Sequence, residues 1–165
     1  MSNLGLEQAL DALGVPFVRT NVGDRYVMQE MLSKGWDLGG ESSGHIICLD
    51  INTTGDGIVS ALQALAAVVN CDQPLAELRK KMVKMPQTMI NIRMPNDVDL
   101  KGNKNVQSAV SHVESSLGKN GRVLLRPSGT EPLVRVMVEG KNPDQVGSLA
   151  KELAQAVAEE FGASL

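Results

Sequence analysis

Two arginines bracket a Ser-Gly-Thr turn in the stretch RPSGTEPLVR, Arg126 to Arg135. Guanidinium groups held close together repel unless an anion lies between them. The residues between them suit an anion. Gly129 is free to adopt a positive φ, which lets successive backbone N–H groups converge on one. Ser128 and Thr130 add hydroxyl donors. Arg126 and Arg135 present planar forks that match phosphate oxygens two at a time. Pro127 and Pro132 stiffen both flanks. Charge-assisted hydrogen bonds contribute about 1.5–3 kcal/mol each, so three or four would hold a phosphate dianion with roughly micromolar strength or better. The competing reading is a polar hairpin turn with surface arginines. A nucleotide P-loop is excluded, because no G-x-x-x-x-G-K-S/T occurs.

Two further polar turns carry candidate residues. GGESSGHII places Glu41, Ser43 and His45 in a glycine-rich turn ahead of an apolar run. A carboxylate there accepts hydrogen bonds from two neighbouring sugar hydroxyls, and Ser43 adds to it. His45 carries a proton or meets a phosphate; the plainer alternative is a structural histidine at a strand start. VGDRY, Val22 to Tyr26, is a turn after a strand, where α/β proteins place ligands. Asp24 is there either a helix N-cap or a ligand contact, with the Gly23 backbone open to a ligand. TTGDG offers a single aspartate, too few oxygens for Mg²⁺, so no metal site is expected. His112, between Val110 and Val113, reads as a surface or boundary residue.

The elements that must position these turns change character along the chain. Residues 1–71 alternate α and β. A helix fits Leu4 to Leu13, with Leu6, Ala9, Leu10 and Leu13 on one face and Gly14 as its stop. PFVRT, from Pro16, reads as a strand, and a helix capped by Asp24 runs to Lys34 and stops at Gly35. HIICLD is a short buried strand. Asp56 starts a helix whose stripe is Val59, Leu62, Leu65, Ala66 and Val69. This rhythm predicts helices covering a sheet. Residues 72–84 read as a charged connector helix with Pro74 in its first turn.

Residues 85–165 read as an α+β domain of three strands and two helices. QTMINIRM alternates Met89, Asn91 and Arg93 with Ile90, Ile92 and Met94, so one face is buried. A helix follows with Val106, Ala109, Val110, Val113 and Leu117 at helical spacing. RVLLR and LVRVMVE flank the arginine-bracketed turn. The last helix has Asn142 as N-cap, Pro143 at its first position, and a stripe from Val146 to Phe161.

Composition narrows the partners. The 165 residues are 42% apolar and 2% aromatic, so the core must be aliphatic. A formal charge of −3 argues against a general nucleic-acid binder, and so few aromatics argue against base stacking. No apolar run reaches membrane-spanning length, and the first residues lack a signal-peptide pattern. Cys48 and Cys71 have no metal or redox spacing. They read as buried small hydrophobes in a reduced, cytoplasmic protein.

VGDRYV, GESSGH, TTGDGI and RPSGTEPLVRVMVEG, in this order, resemble the α-D-phosphohexomutases over essentially the whole chain. The resemblance implies α/β plus α+β architecture: residues 1–71 as the C-terminal part of the family's third domain, 72–84 as connector, and 85–165 as its TATA-binding-protein-like fourth domain. The chain would be the end of a longer enzyme, with Met1 an internal methionine. By resemblance Arg126, Ser128, Gly129, Thr130 and Arg135 hold a substrate phosphate. Glu41, Ser43, Gly23 and Asp24 hold the sugar, and His45 is auxiliary near the reacting phosphate.

The implied activity interconverts glucosamine 6-phosphate and glucosamine 1-phosphate through a phosphoserine and a bisphosphorylated sugar. Glucose or glucosamine 1,6-bisphosphate is the implied activator or intermediate, and Mg²⁺ the implied cofactor. Neither a T-A-S-H-N-like stretch nor D-G-D-x-D occurs, so the phosphoserine and metal ligands would belong to N-terminal domains, and this chain alone is expected to be inactive. The phosphosugar, those domains and, through exposed sheet edges, a second copy in a homodimer are the implied partners. The alternative is a stand-alone sugar-phosphate-binding or regulatory module.

Overall fold

The computed structural model describes residues 1–94 and 97–165. The chain divides into two compact units, Met1–Lys84 and Met85–Leu165.

The first unit opens with helix α1, Leu4–Ala12. The Asn3 side chain accepts from Gly5 N at 3.0 Å and so satisfies one of the orphan amides of the first turn. PFVRT does not form the expected strand. A strand needs a ladder partner; here Arg19 instead ties the segment back to α1, donating from Nε and Nη2 to Glu7 Oε2 at 3.1 and 2.8 Å. Helix α2, Asp24–Lys34, ends at Gly35 in the left-handed region. Strands β1, Leu38–Gly40, and β2, Ile46–Cys48, then form an antiparallel pair with Gly39 opposite Ile47. Val27 and Met31 of α2 pack on this pair with Ile47.

Helix α3, Gly57–Cys71, is capped as expected: Asp56 Oδ1 accepts from Ile58 N at 2.8 Å and Val59 N at 3.0 Å. Its apolar stripe is not buried as expected. Leu62, Leu65 and Val69 are 57, 60 and 76% exposed. A two-stranded sheet with three residues per strand has no surface left to cover a helix of 15 residues. Cys71, at the end of this helix, is exposed rather than buried, whereas Cys48 is buried. The connector helix is shorter than expected: α4 covers only Leu75–Leu78, and a 3₁₀ turn, Arg79–Lys81, follows.

The second unit is a three-stranded antiparallel sheet in the order β3-β5-β4, with β3 at Gln87–Arg93, β4 at Gly121–Pro127 and β5 at Leu133–Gly140. Helices α5, Lys104–Leu117, and α6, Pro143–Glu160, cover one face. Asn142 Oδ1 caps α6 by accepting from Asp144 N and Gln145 N at 2.9 and 3.2 Å. Ile92, Val134, Val136 and Val138 meet Val106, Val113, Leu153 and Val157 in the core. No aromatic residue is fully buried among the described residues, in keeping with the aliphatic composition.

Strand alternation turns the other set of side chains to the opposite face. Register places Arg126 directly across from Arg135, with Asn91 on the far side of Arg135. In the same set Arg122 donates from Nε to the fully buried Glu139 at 2.7 Å. The central position of β5 thus fixes Arg135 between two strands, at the end of the sheet where the turn lies.

Candidate functional site

The turn between β4 and β5 consists of residues 128–132. Ser128 N donates to Leu133 O at 2.8 Å and closes the hairpin. Ser128 is buried, and its Oγ lies 3.4 Å from both Thr130 N and Arg135 Nη2. Gly129 does not take the expected positive φ. What glycine supplies is open approach, since a Cβ there would meet nothing within 4 Å. Thr130 is exposed beside it.

Arg126 and Arg135 are cross-strand partners. Like charges directly opposite each other are destabilising. The Nε of each is shut off from solvent and has no hydrogen-bond partner. Burial, and then the neighbouring Arg135, lower the Arg126 pKa from its usual value. Such a pair is a cation site short of its anion. Glu131 supplies part of the missing charge, with Oε2 at 3.2 Å from Arg135 Nη2. Because that carboxylate is exposed, Glu131→Gln is expected to tighten inorganic phosphate binding by up to about five-fold; weaker binding in a titration would contradict a competing role.

The other candidates lie in the first unit. The turn between β1 and β2 is closed by Gly44 N donating to Glu41 O at 3.1 Å and Glu41 N donating to His45 O at 2.9 Å. Gly44 has φ 101°, a left-handed conformation that a side chain would strain. Two side chains join this turn to the Gly23 turn in opposite directions. Gly23 N donates to Glu41 Oε1 at 2.6 Å, and His45 Nδ1 lies 2.7 Å from Asp24 Oδ2. Glu41, Gly23, Asp24 and His45 therefore form one cluster, with Ser43 exposed at the tip of the same turn. Asp24 is not the N-cap it resembled in sequence. Gly23 holds that position, and no side chain caps the helix.

Asp24, Glu41 and His45 also have donor atoms all within 4.8 Å of one another, a spacing that sequence separation did not suggest. Mg²⁺ takes six oxygens in a near-ideal octahedron. Here one donor is an imidazole nitrogen, and Glu41 Oε1 and Asp24 Oδ2 are already engaged. The residues present do not fit the Mg²⁺ that the resemblance implies. Asn91 was not singled out in sequence; only the strand register brings it alongside Arg135. His112 is an exposed surface residue 3.3 Å from Glu152. No single helix among the described residues is long and apolar enough to cross a membrane.

The chain as a whole matches known proteins. Residues 1–85 match the family described as phosphoglucomutase/phosphomannomutase, alpha/beta/alpha domain III, and residues 89–156 match its C-terminal domain. The chain belongs to the phosphoglucomutase/phosphomannomutase family. Among its relatives, the phosphoglucosamine mutase of Alcanivorax borkumensis is 59% identical over 95% of this chain, and that of Methylococcus capsulatus 58% over 99%. The chain spans 35 and 36% of the length of these two relatives.

Aspergillus fumigatus N-acetylphosphoglucosamine mutase shares the fold. Its complex with glucose 1,6-bisphosphate has a TM-score of 0.80 at 20% identity, over 97% of this chain and 37% of that one. Its complex with GlcNAc-6P and magnesium has a TM-score of 0.77 at 20% identity, over 92 and 38%.

Proposed function

We propose that this chain is the substrate-recognition portion of a phosphoglucosamine mutase. In this reading residues 1–71 are part of the family's third domain, 72–84 the connector and 85–165 the fourth domain. The enzyme interconverts glucosamine 6-phosphate and glucosamine 1-phosphate through a bisphosphorylated sugar, with the phosphoserine and the Mg²⁺ loop lying outside these residues. Arg126, Ser128, Gly129, Thr130 and Arg135 hold the phosphate that is not being transferred. Glu41, through its second oxygen, and Ser43 accept and donate to sugar hydroxyls, beside the Gly23 backbone.

The observation that carries this reading is the pair Arg126–Arg135, forced together by register with both Nε groups buried and unpartnered. A structural ion pair would not leave them so. The resemblance to named phosphoglucosamine mutases supports the choice of sugar. Calorimetry on this chain tests it. Glucosamine 6-phosphate and inorganic phosphate are expected to bind, and glucosamine without phosphate is not. Equal binding of glucosamine, or no heat from either phosphate at millimolar concentration, would contradict the reading.

A further inference from the structure

The carboxylate of Asp24 is poorly placed to touch a sugar. Its Oδ1 is shut off from solvent and has no hydrogen-bond partner. Its Oδ2 lies 2.7 Å from His45 Nδ1. One oxygen is thus closed to a ligand and the other already holds the imidazole, on a side chain that is half exposed as a whole. The imidazole is the outer member of the pair, with 62% of its side chain exposed.

An N···O separation of 2.7 Å requires a proton between the atoms, because two lone pairs at that distance repel. A carboxylate is acceptor-only, so the proton belongs to Nδ1. The neutral ring must then carry its lone pair on Nε2. A free imidazole side chain in water favours the other tautomer, so a partner is needed to reverse it. The geometry is well held. Asp24 is the first residue of α2, where a carboxylate sits favourably against the helix macrodipole. The His45 backbone is fixed by its carbonyl accepting from Glu41 N. Glu41 Oε1 then holds the Gly23 N–H, one residue before Asp24. The two turns cannot separate without breaking both links.

We propose that Asp24 is a positioning residue for His45 rather than a sugar contact. It keeps the proton on Nδ1, so that Nε2 is the atom offered to the ligand. There the neutral ring accepts a proton from a sugar hydroxyl or phosphate oxygen, and the charged ring donates one. The ligand's identity rests on the phosphosugar reading; the tautomer does not.

Long-range ¹H–¹⁵N spectra of the ring nitrogens test this directly, because the chain has only two histidines and His112 serves as internal control. At a pH where the ring is neutral, His45 is expected to show a protonated Nδ1 and a bare Nε2. Asp24→Ala should return it to the Nε2–H form, and so should Asp24→Asn, whose amide can turn its NH₂ toward Nδ1 and donate to it. His112 should not change in either variant. An Nε2–H tautomer in the unsubstituted chain overturns the proposal, even if Asp24→Ala fails to fold. So does an unchanged tautomer in a folded Asp24→Ala.

In a second arm glucosamine 6-phosphate is titrated while the His45 ring nitrogens are followed. A change at Nε2 supports the proposal, and a change at Nδ1 without one at Nε2 overturns it. Absence of any change at His45 counts against the phosphosugar reading and leaves the tautomer result standing.

Discussion

Arg135→Ala is expected to weaken phosphate binding by roughly one to two orders of magnitude. The guanidinium supplies charge-assisted hydrogen bonds of about 1.5–3 kcal/mol each. Its position is set by the central strand β5, between Asn91 and Arg126, so no neighbour can swing in to replace it. Stability without ligand should change little. Its exposed partner Glu131 contributes only about 0.2–1 kcal/mol, and the variant also removes the repulsion on Arg126. The two effects separate in one experiment. Phosphate should raise the melting temperature of the unsubstituted chain by mass action, and reaching the same increase in Arg135→Ala should take roughly ten to a hundred times more phosphate. An unchanged phosphate dependence would remove Arg135 from the site. A large loss of stability without ligand would make it a structural residue.

Leu153→Ala has the opposite profile. Leu153 is fully buried under the sheet, among Val134, Val136 and Val138 of β5 and Val106 and Val113 of α5. Truncating such a leucine costs about 2–5 kcal/mol, from lost transfer energy and the cavity left behind. A unit of about 80 residues has roughly 4–12 kcal/mol in total. The second unit should therefore unfold at a much lower denaturant concentration, taking the phosphate turn with it. The single Trp36 lies in the first unit, so fluorescence would miss this transition, and amide signals from residues 85–165 are the probe to use. Leu153→Met keeps most of the volume and should cost less than about 1.5 kcal/mol. Equal losses in the two variants would mean that packing volume is not what Leu153 contributes.

Sequence was most informative where a short-range rule decides the structure. Asp56 and Asn142 cap their helices because the cap bonds reach only two or three residues ahead. The alternation of Ile90 and Ile92 with Met89, Asn91 and Arg93 follows the strand period, and the second unit folds as three strands and two helices. Long-range partners were not legible. Nothing local distinguishes PFVRT, which has no ladder partner, from a strand that has one. The three residues of β1, two of them glycine, carry no strand signal at all. The α3 stripe has helical spacing, but spacing does not say whether anything covers it.

The site divides in the same way. The bracketing arginines were visible because a two-strand hairpin turns sequence distance into register. The residue that closes the hairpin, Ser128, was visible too. The crossed links Gly23–Glu41 and Asp24–His45 were not, since they join turns on different elements. A helix N-cap was the natural reading of Asp24 in isolation. Gly129 was singled out for a backbone conformation it does not adopt, and its use is the space it leaves open.

The most direct test is an amide NMR titration of this chain with inorganic phosphate and then glucosamine 6-phosphate. If the turn is a phosphate anchor, both ligands produce saturable shifts at Ser128, Gly129 and Thr130. No shift at the Ser128–Thr130 amides with millimolar phosphate would contradict it, and Arg126 and Arg135 would then face some other anion.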